Sequence, residues 1–215
     1  MAVKQVNPTR MELTRLKKKL NTATRGHKLL KDKRDELMRR FLDMVRENRA
    51  LRIEVEEKIR QANANFVLAK SSMSEETLKV ALLAPKQEVI VSTSHKNVMS
   101  VDIPVFDYDT RTPDPNDIYS YGYAFTSSDL DDAVKSLADV LPDLIKLAQI
   151  EKSCQLMADE IEKTRRRVNA LEHVMIPETQ EQIRYITRKL DENERSTQTR
   201  LMKVKDMMLK EAHGY

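Results

Sequence analysis

Apolar side chains recur at alternating steps of three and four residues through the first quarter of this sequence. The series is Leu13, Leu16, Leu20, Ala23, His27, Leu30, Arg34, Leu37, Phe41, Met44, Asn48, Leu51 and Val55. That is the a/d seam of a coiled coil, held over about six heptads, with His27, Arg34 and Asn48 as polar guests. Asn7-Pro8-Thr9 precedes it: Asn7 is a polar cap candidate and Pro8 fits an early helical position. No proline or glycine cluster breaks the pattern up to about residue 70. At a rise of about 1.5 Å per residue, some 60 residues predict a rod about 90 Å long.

The C-terminal part carries a second seam. Its positions are Cys154, Met157, Ile161, Thr164, Val168, Leu171, Met175, Thr179, Ile183, Ile186, Leu190, Asn193, Thr197, Leu201, Val204 and Met208. Two four-four steps, at Met175–Thr179–Ile183 and Asn193–Thr197–Leu201, locally unwind a left-handed supercoil. Pro177 lies beside the first and is expected to kink or loosen the helix. Two helical segments of nearly equal length, separated by a middle region, predict an antiparallel pair within one chain. A register that sets Leu13 opposite Met208 would bring Asn48 close to Arg165, Arg166 and Arg167.

The middle follows a different period. Residues 86–106, "KQEVIVSTSHKNVMSVDIPVF", are rich in β-branched residues that alternate over short runs. They predict strands at Glu88–Ser94 and Val98–Val105, joined around His95, Lys96 and Asn97. An acidic stretch with two prolines and clustered tyrosines follows. Ser127 or Ser128 then caps a helix with Asp131 and Asp132 in its first turn. Leu130, Val134, Leu137, Leu141 and Leu144 form its apolar face, and Pro142 either ends or bends it. The fold expected is mainly α: a long antiparallel intramolecular coiled-coil hairpin with a small β-hairpin and loop region in the middle. Its divisions are an N-terminal helix over 1–70, a middle region over 71–127 with the hairpin at about 88–105, and C-terminal helices over 128–215.

Composition supports long helices. Of 215 residues, 33% are charged and 5% aromatic, with no tryptophan and three glycines, Gly26, Gly122 and Gly214. Such a chain has little bulk for an ordinary core. No apolar run approaches the roughly 20 residues that span a bilayer, and the first 20 residues lack the apolar core of a secretory signal. The single cysteine, Cys154, has no internal disulfide partner and suits a reducing compartment. Net charge is +4 but uneven. Residues 1–70 hold 19 Lys and Arg against 9 Asp and Glu, and residues 71–145 hold 5 against 13. The acidic middle argues against a chain wrapped throughout by nucleic acid.

Catalytic chemistry finds no foothold in these residues. There is no phosphate-cradling glycine loop. His27, His95, His173 and His213 lack metal-ligand spacing, and Cys154 has no companion. The sequence therefore assigns no catalytic residue, metal or cofactor. The basic runs "RLKKKL" and "TRGHKLLKDKRDELMRR" read most simply as the charged exterior of a coiled coil, since stacking aromatics for single-stranded bases are missing. Arg165, Arg166 and Arg167 exceed what solubility requires. Successive residues turn by about 100°, so the three form a partial collar. Arginine grips carboxylates in bidentate fashion, which favours an acidic protein partner.

"NPTRMELTRLKKKL" with "TRGHKLLKDKRDEL", then "NVMSVDIPVF", then "TRRRVNALEHVMIP", "IRYI" and "LxENER" stand in an order and spacing that resemble the D subunits of V-type and A-type rotary ATPases. The resemblance covers nearly the whole chain. It implies a central stalk, the rotor axle, that couples ATP hydrolysis or synthesis in a hexamer to proton or sodium ion transport. Implied partners are the catalytic A and non-catalytic B subunits, the central-stalk F subunit and the C/d-type connector on the membrane ring. One copy per complex is implied, with no catalytic role, no nucleic acid and no membrane insertion. The implied location is peripheral, on the cytoplasmic side of a membrane, with a bacterial plasma membrane favoured. Partner contact is expected at Arg165, Arg166 and Arg167, nearer the F subunit or the lower rim of the hexamer. It is also expected at Arg15, Lys17, Arg25 and Lys28, nearer the hexamer interior. A coiled-coil scaffold or nucleic-acid-associated protein without motor function is the competing reading.

Overall fold

The computed structural model describes residues 6–122 and 126–212. Tyr123 of the tyrosine cluster, His213 and Gly214 lie outside them. The chain is mainly helical. Helix α1 spans Arg10–Ser72 and the short helix α2 spans Glu75–Ala81. Strands β1 (Val89–Val98) and β2 (Val101–Thr110) follow, then a single 3₁₀ turn at Pro115–Ile118. Helix α3 (Ser128–Ala170) leads through a π-helical turn at Leu171–Met175 into α4 (Ile176–Ala212). The residues form two compact units: Met1–Asp35 with Glu162–Tyr215, and Glu36–Ile161.

The first unit is an antiparallel helix pair. Arg10 of α1 meets Glu194 of α4 at 2.5 Å. Farther along α1, His27 Nε2 lies 3.4 Å from Glu172 Oε2. As numbers rise on one helix they fall on the other. Leu16, Ala23, Val168 and Ile186 are buried between the helices, beside the polar Thr164, Thr179 and Gln182. Helix α1 begins after Thr9, whose Oγ1 accepts the Glu12 N–H at 3.2 Å. Thr9, not Asn7, is therefore the cap, and Pro8 precedes the helix instead of sitting in its first turn. A hydroxyl adjoining the first turn reaches the orphan amides, which the more distant Asn7 does not.

The π turn has a local cause. Pro177 has no N–H and its ring would clash with the carbonyl four residues back, His173. Widening the helix by one residue removes the clash, and the Ile176 N–H bonds Leu171 O instead. This is the irregularity that the four-four step at Met175 signals.

Register departs from the expectation. Since Glu194 faces Arg10, where α1 starts, Met208 cannot face Leu13. Apart from Met175, seam positions are covered as far as Leu190, but Asn193 and Thr197 are exposed. So are Leu201 (63%), Val204 (50%) and Met208 (65%). Asn48 belongs to the other unit, where its side chain lies beside Cys154, and is not a neighbour of the triple arginine.

The second unit also pairs α1 with α3 antiparallel. Arg52 Nη1 lies 3.5 Å from Glu151 Oε1, and Lys58 Nζ lies 2.6 Å from Asp143 Oδ2. The α3 helix continues through Pro142. Its start is capped by Ser127, whose Oγ accepts the Asp129 N–H at 3.1 Å. Two clusters close the unit. Leu37 and Ile161 pack with Val101 of β2. Ala69, Leu78, Ala81 and Leu130 form the other, with Phe66 and Tyr121 against it. Each buried leucine contributes about 1.5–3 kcal/mol by leaving water.

The hairpin is longer than its sequence pattern suggests. β1 and β2 pair antiparallel without interruption from Val89↔Thr110 to Val98↔Val101. His95, Lys96 and Asn97 lie within β1, and the turn is Met99-Ser100. Both turn residues have positive φ, 54° and 70°, as a two-residue turn matched to strand twist requires. Asn97 offsets that strain. Its Oδ1 accepts the Ser100 N–H at 3.1 Å, and its Nδ2 donates to Asp102 Oδ1 at 2.6 Å.

Candidate partner-binding surface

All seven basic residues singled out by sequence fall in the same unit. Arg15, Lys17, Arg25 and Lys28 stand on α1, and Arg165, Arg166 and Arg167 on α3. All seven are exposed. Thr164 and Val168 are one helical turn apart and both buried. The three arginines between them therefore sweep across the outward arc of α3, as a partial collar does. Because Glu172 faces His27, the arginines lie level with the part of α1 that follows Lys28. Arg15 and Lys17 lie farther off, towards the Arg10–Glu194 pair.

Their charges are largely uncommitted. Arg166 bonds Glu162 on its own helix. Arg15 is 3.6 Å from Glu12, a loose pair. Among the described residues, Lys17, Arg25, Lys28, Arg165 and Arg167 carry no ion pair. Exposed intrahelical pairs contribute only about 0–1 kcal/mol, so even Arg166 can exchange its partner at little cost. Uncommitted guanidinium groups arranged round an arc can meet carboxylates approaching from several directions.

The other unit treats its charges differently. Glu36 holds Arg40 and Arg39 at 2.8 and 2.9 Å. The Arg40 hydrogen bond, with that of Arg39, keeps the Glu36 carboxyl below its usual range. Lys58 bridges Asp143 and Glu54, and those hydrogen bonds raise its ammonium value. Lys86 lies 2.5 Å from Asp117 and lowers that carboxyl. These charges are engaged within the unit.

Sequence spacing missed Met38, Leu42 and Val45, which repeat along an exposed side of α1, and it read Leu201, Val204 and Met208 of α4 as a paired seam, whereas they stand exposed with Met202 and Met207. The signal was present, since both sets have helical spacing, but period alone does not tell a paired face from an unpaired one. An open cleft of about 720 Å³ lies in the second unit. Tyr108, Tyr119, Tyr121, Leu141 and Pro142 are among the residues along it. Among the described residues no group of three His, Cys, Asp or Glu is placed to hold a metal ion. No helix of the described residues is long and apolar enough to cross a membrane.

Comparison with known proteins joins these features. The family model for the ATP synthase D subunit matches residues 12–206. The chain is 59% identical to the V-type ATP synthase D subunit of Acetivibrio thermocellus, over 100% of this chain and 97% of the relative. It is 60% identical to the V-type ATP synthase D subunit of Clostridioides difficile, over 99% and 95%. With the protein of the same description from Clostridium novyi the identity is 58%, over 98% of each.

Proposed function

Because the chain belongs to the ATP synthase D-subunit family, we propose that it is the central stalk of a V-type rotary ATPase and works as its non-catalytic axle. ATP hydrolysis or synthesis in the hexamer of A and B subunits is coupled through it to proton or sodium ion transport. The F subunit and a C/d-type connector are its other partners, and it sits peripherally on the cytoplasmic side of the membrane, in one copy per complex. The observation that carries this reading is that, in each unit, the N-terminal helix pairs antiparallel with C-terminal helix of the same chain. A coiled-coil scaffold reading is not favoured, because a parallel seam between two copies would need the face already occupied within one chain.

A torque-bearing pair of helices needs a continuous interior contact and an exterior that slides past successive neighbours. Arg165, Arg166 and Arg167 contact acidic surface nearer the F subunit or the lower rim of the hexamer. Arg15, Lys17, Arg25 and Lys28 contact the hexamer interior. Uncommitted exposed charge supports this, since weak ion pairs form and break without trapping the rotor.

The test is assembly with the cognate A, B and F subunits, followed by native mass spectrometry and ATPase assay. One copy per hexamer is expected, and a crosslink from α1 to the hexamer should stop turnover. Two copies joined through the seam, or full turnover after crosslinking, would defeat the axle reading. Hydrogen exchange at residues 12–30 and 162–170 tests the contacts: protection should appear on assembly, and its absence at both would remove them.

A further inference from the structure

The β-hairpin has two edges, and they are treated differently. On the outer edge of β2, Pro104 has no N–H to offer and the Phe106 N–H donates to Gln149 Oε1 of α3 at 3.0 Å. An outward amide at Phe106 also fixes the phase of the ladder. Phe106 faces Thr93, and the Arg111 N–H bonds Glu88 O at 2.9 Å. Alternate residues in an antiparallel pair exchange both main-chain bonds while those between point away. The main-chain groups of Val89, Val91, Thr93, His95 and Asn97 therefore point away from β2. Among the described residues none of them has a hydrogen-bond partner.

The strand that carries this edge buries almost nothing. Every residue from Ile90 to Asn97 is exposed, including Ile90 at 59% and Val91 at 46%. Natural sheets protect such an edge with proline, central lysines, a bulge or a covering helix. β1 has no proline, no charge between Val89 and His95, and an unbroken ten-pair register. A regular row of outward N–H and C=O groups at about 3.3 Å per residue matches one kind of ligand, another extended backbone.

We propose that the open edge of β1 receives an added strand, an extended segment of a partner subunit whose side chains beside Val89–Ser94 are uncharged. The inference rests on the stalk reading for its partner, and on the hairpin alone for its geometry. Main-chain bonds would supply the attraction. The aliphatic and hydroxyl side chains of β1 would set a preference for β-branched and hydroxyl neighbours.

The test compares amide exchange, resolved residue by residue, in the isolated chain and in the complex assembled with cognate A, B, F and C/d-type subunits. In the isolated chain the amides of Ile90, Ser92 and Ser94 should be slow and those of Val91, Thr93 and His95 fast. In the complex the second group should slow by about tenfold or more, the pattern of a ladder formed on the outer side. Val91→Pro removes one outward donor without touching the β2 ladder. It should abolish the added protection while Ile90 and Ser92 stay slow. If those two become fast the hairpin has been lost, and Thr93→Pro serves in its place. Assembly without slowing of the outward amides overturns the proposal and leaves the stalk reading standing. Failure to assemble overturns both. Slowing that depends on concentration in the isolated chain would mean that a second copy occupies the edge, and overturns the proposal as well.

Discussion

The two units solve the same problem, holding α1 against the C-terminal helices, with different materials. In the unit formed by residues 36–161, the helices are joined by a hairpin and by α2, and two apolar clusters, Leu37 with Val101 and Ile161 and Leu78 and Ala81 with Leu130, are supplemented by the ion pairs Arg52–Glu151 and Lys58–Asp143. Among its described residues, the unit formed by Met1–Asp35 and Glu162–Tyr215 has helices but no strand. Its interior holds Thr164, Thr179 and Gln182 beside Leu16, Val168 and Ile186. Its exterior carries Lys17, Arg25, Lys28, Arg165 and Arg167, which have no ion pair among the described residues, whereas in the other unit Arg39, Arg40, Arg52, Lys58 and Lys86 are paired with near carboxylates. One unit is built for cohesion. The other has a more polar interior and an exterior on which basic charge and apolar side chains both stand exposed.

The largest contrast should appear when a core leucine is removed. Leu130→Ala empties a fully buried position where four elements or their flanks converge, and should cost about 4 kcal/mol. Ile186→Ala, equally buried but within a two-helix layer whose neighbours can move inwards, should cost about 2 kcal/mol. Chemical denaturation with local hydrogen exchange gives both values. Equal losses would show that the two units pack alike.

Tyr121→Phe should have a smaller effect, again in the second unit. The phenol donates to Asp131 Oδ1 at 2.8 Å, and its loss should cost about 1 kcal/mol. Burial first, then the Asp131 hydrogen bond, raises the Tyr121 phenol above its ordinary value. The neutral phenol is therefore favoured by the fold. Its contribution is complete below about pH 10, the ordinary phenol value, and is lost as pH rises through the raised folded value. Wild-type stability should fall in that alkaline window, and the variant's should fall less. Identical alkaline profiles would separate Tyr121 from the effect.

Thr164→Val tests the first unit from the other direction. Thr164 is 1% exposed and its hydroxyl has no hydrogen-bond partner among the described residues. Removing an unsatisfied buried hydroxyl while keeping its shape should stabilise by about 1 kcal/mol. A loss of stability would mean that the hydroxyl is satisfied in solution and that the interior is less frustrated than its composition indicates.

These sites also mark how much could be read from the chain. All thirteen α1 seam positions from Leu13 to Val55 are buried or half-buried, because heptad spacing is a direct record of which side meets a partner helix. The same spacing misled at Leu201, Val204 and Met208. Period encodes a face, whereas burial also needs a helix opposite, and α1 starts level with Glu194. The turn at Met99-Ser100 was hidden because left-handed backbone is signalled by glycine or asparagine, and here Asn97 supports it from two residues away. At the candidate surface, exposure of the seven basic residues was legible. Their partners were not, since solubility and recognition place the same side chains on the outside of a helix pair.

Arg166→Gln should change stability least, by no more than about 0.5 kcal/mol, because its bond to Glu162 is an exposed i,i+4 pair. Glu162 stays solvated when the arginine is lost, so no buried charge is stranded. The effect should instead appear on assembly. A group gripping a partner carboxylate contributes to the encounter rate and its salt dependence before it contributes to the fold. Association of the Arg166→Gln variant with the cognate hexamer should be slower at low ionic strength and should converge on wild type as salt rises. The triple change Arg165→Gln, Arg166→Gln and Arg167→Gln should enlarge that difference while thermal unfolding of the isolated chain stays nearly constant. If the triple variant unfolds much more easily, the arginines belong to the cohesion of the helix pair and the contrast between the units is wrong. If it associates as fast as wild type at every salt concentration, the collar is a solvated exterior and partner contact lies elsewhere on the unit.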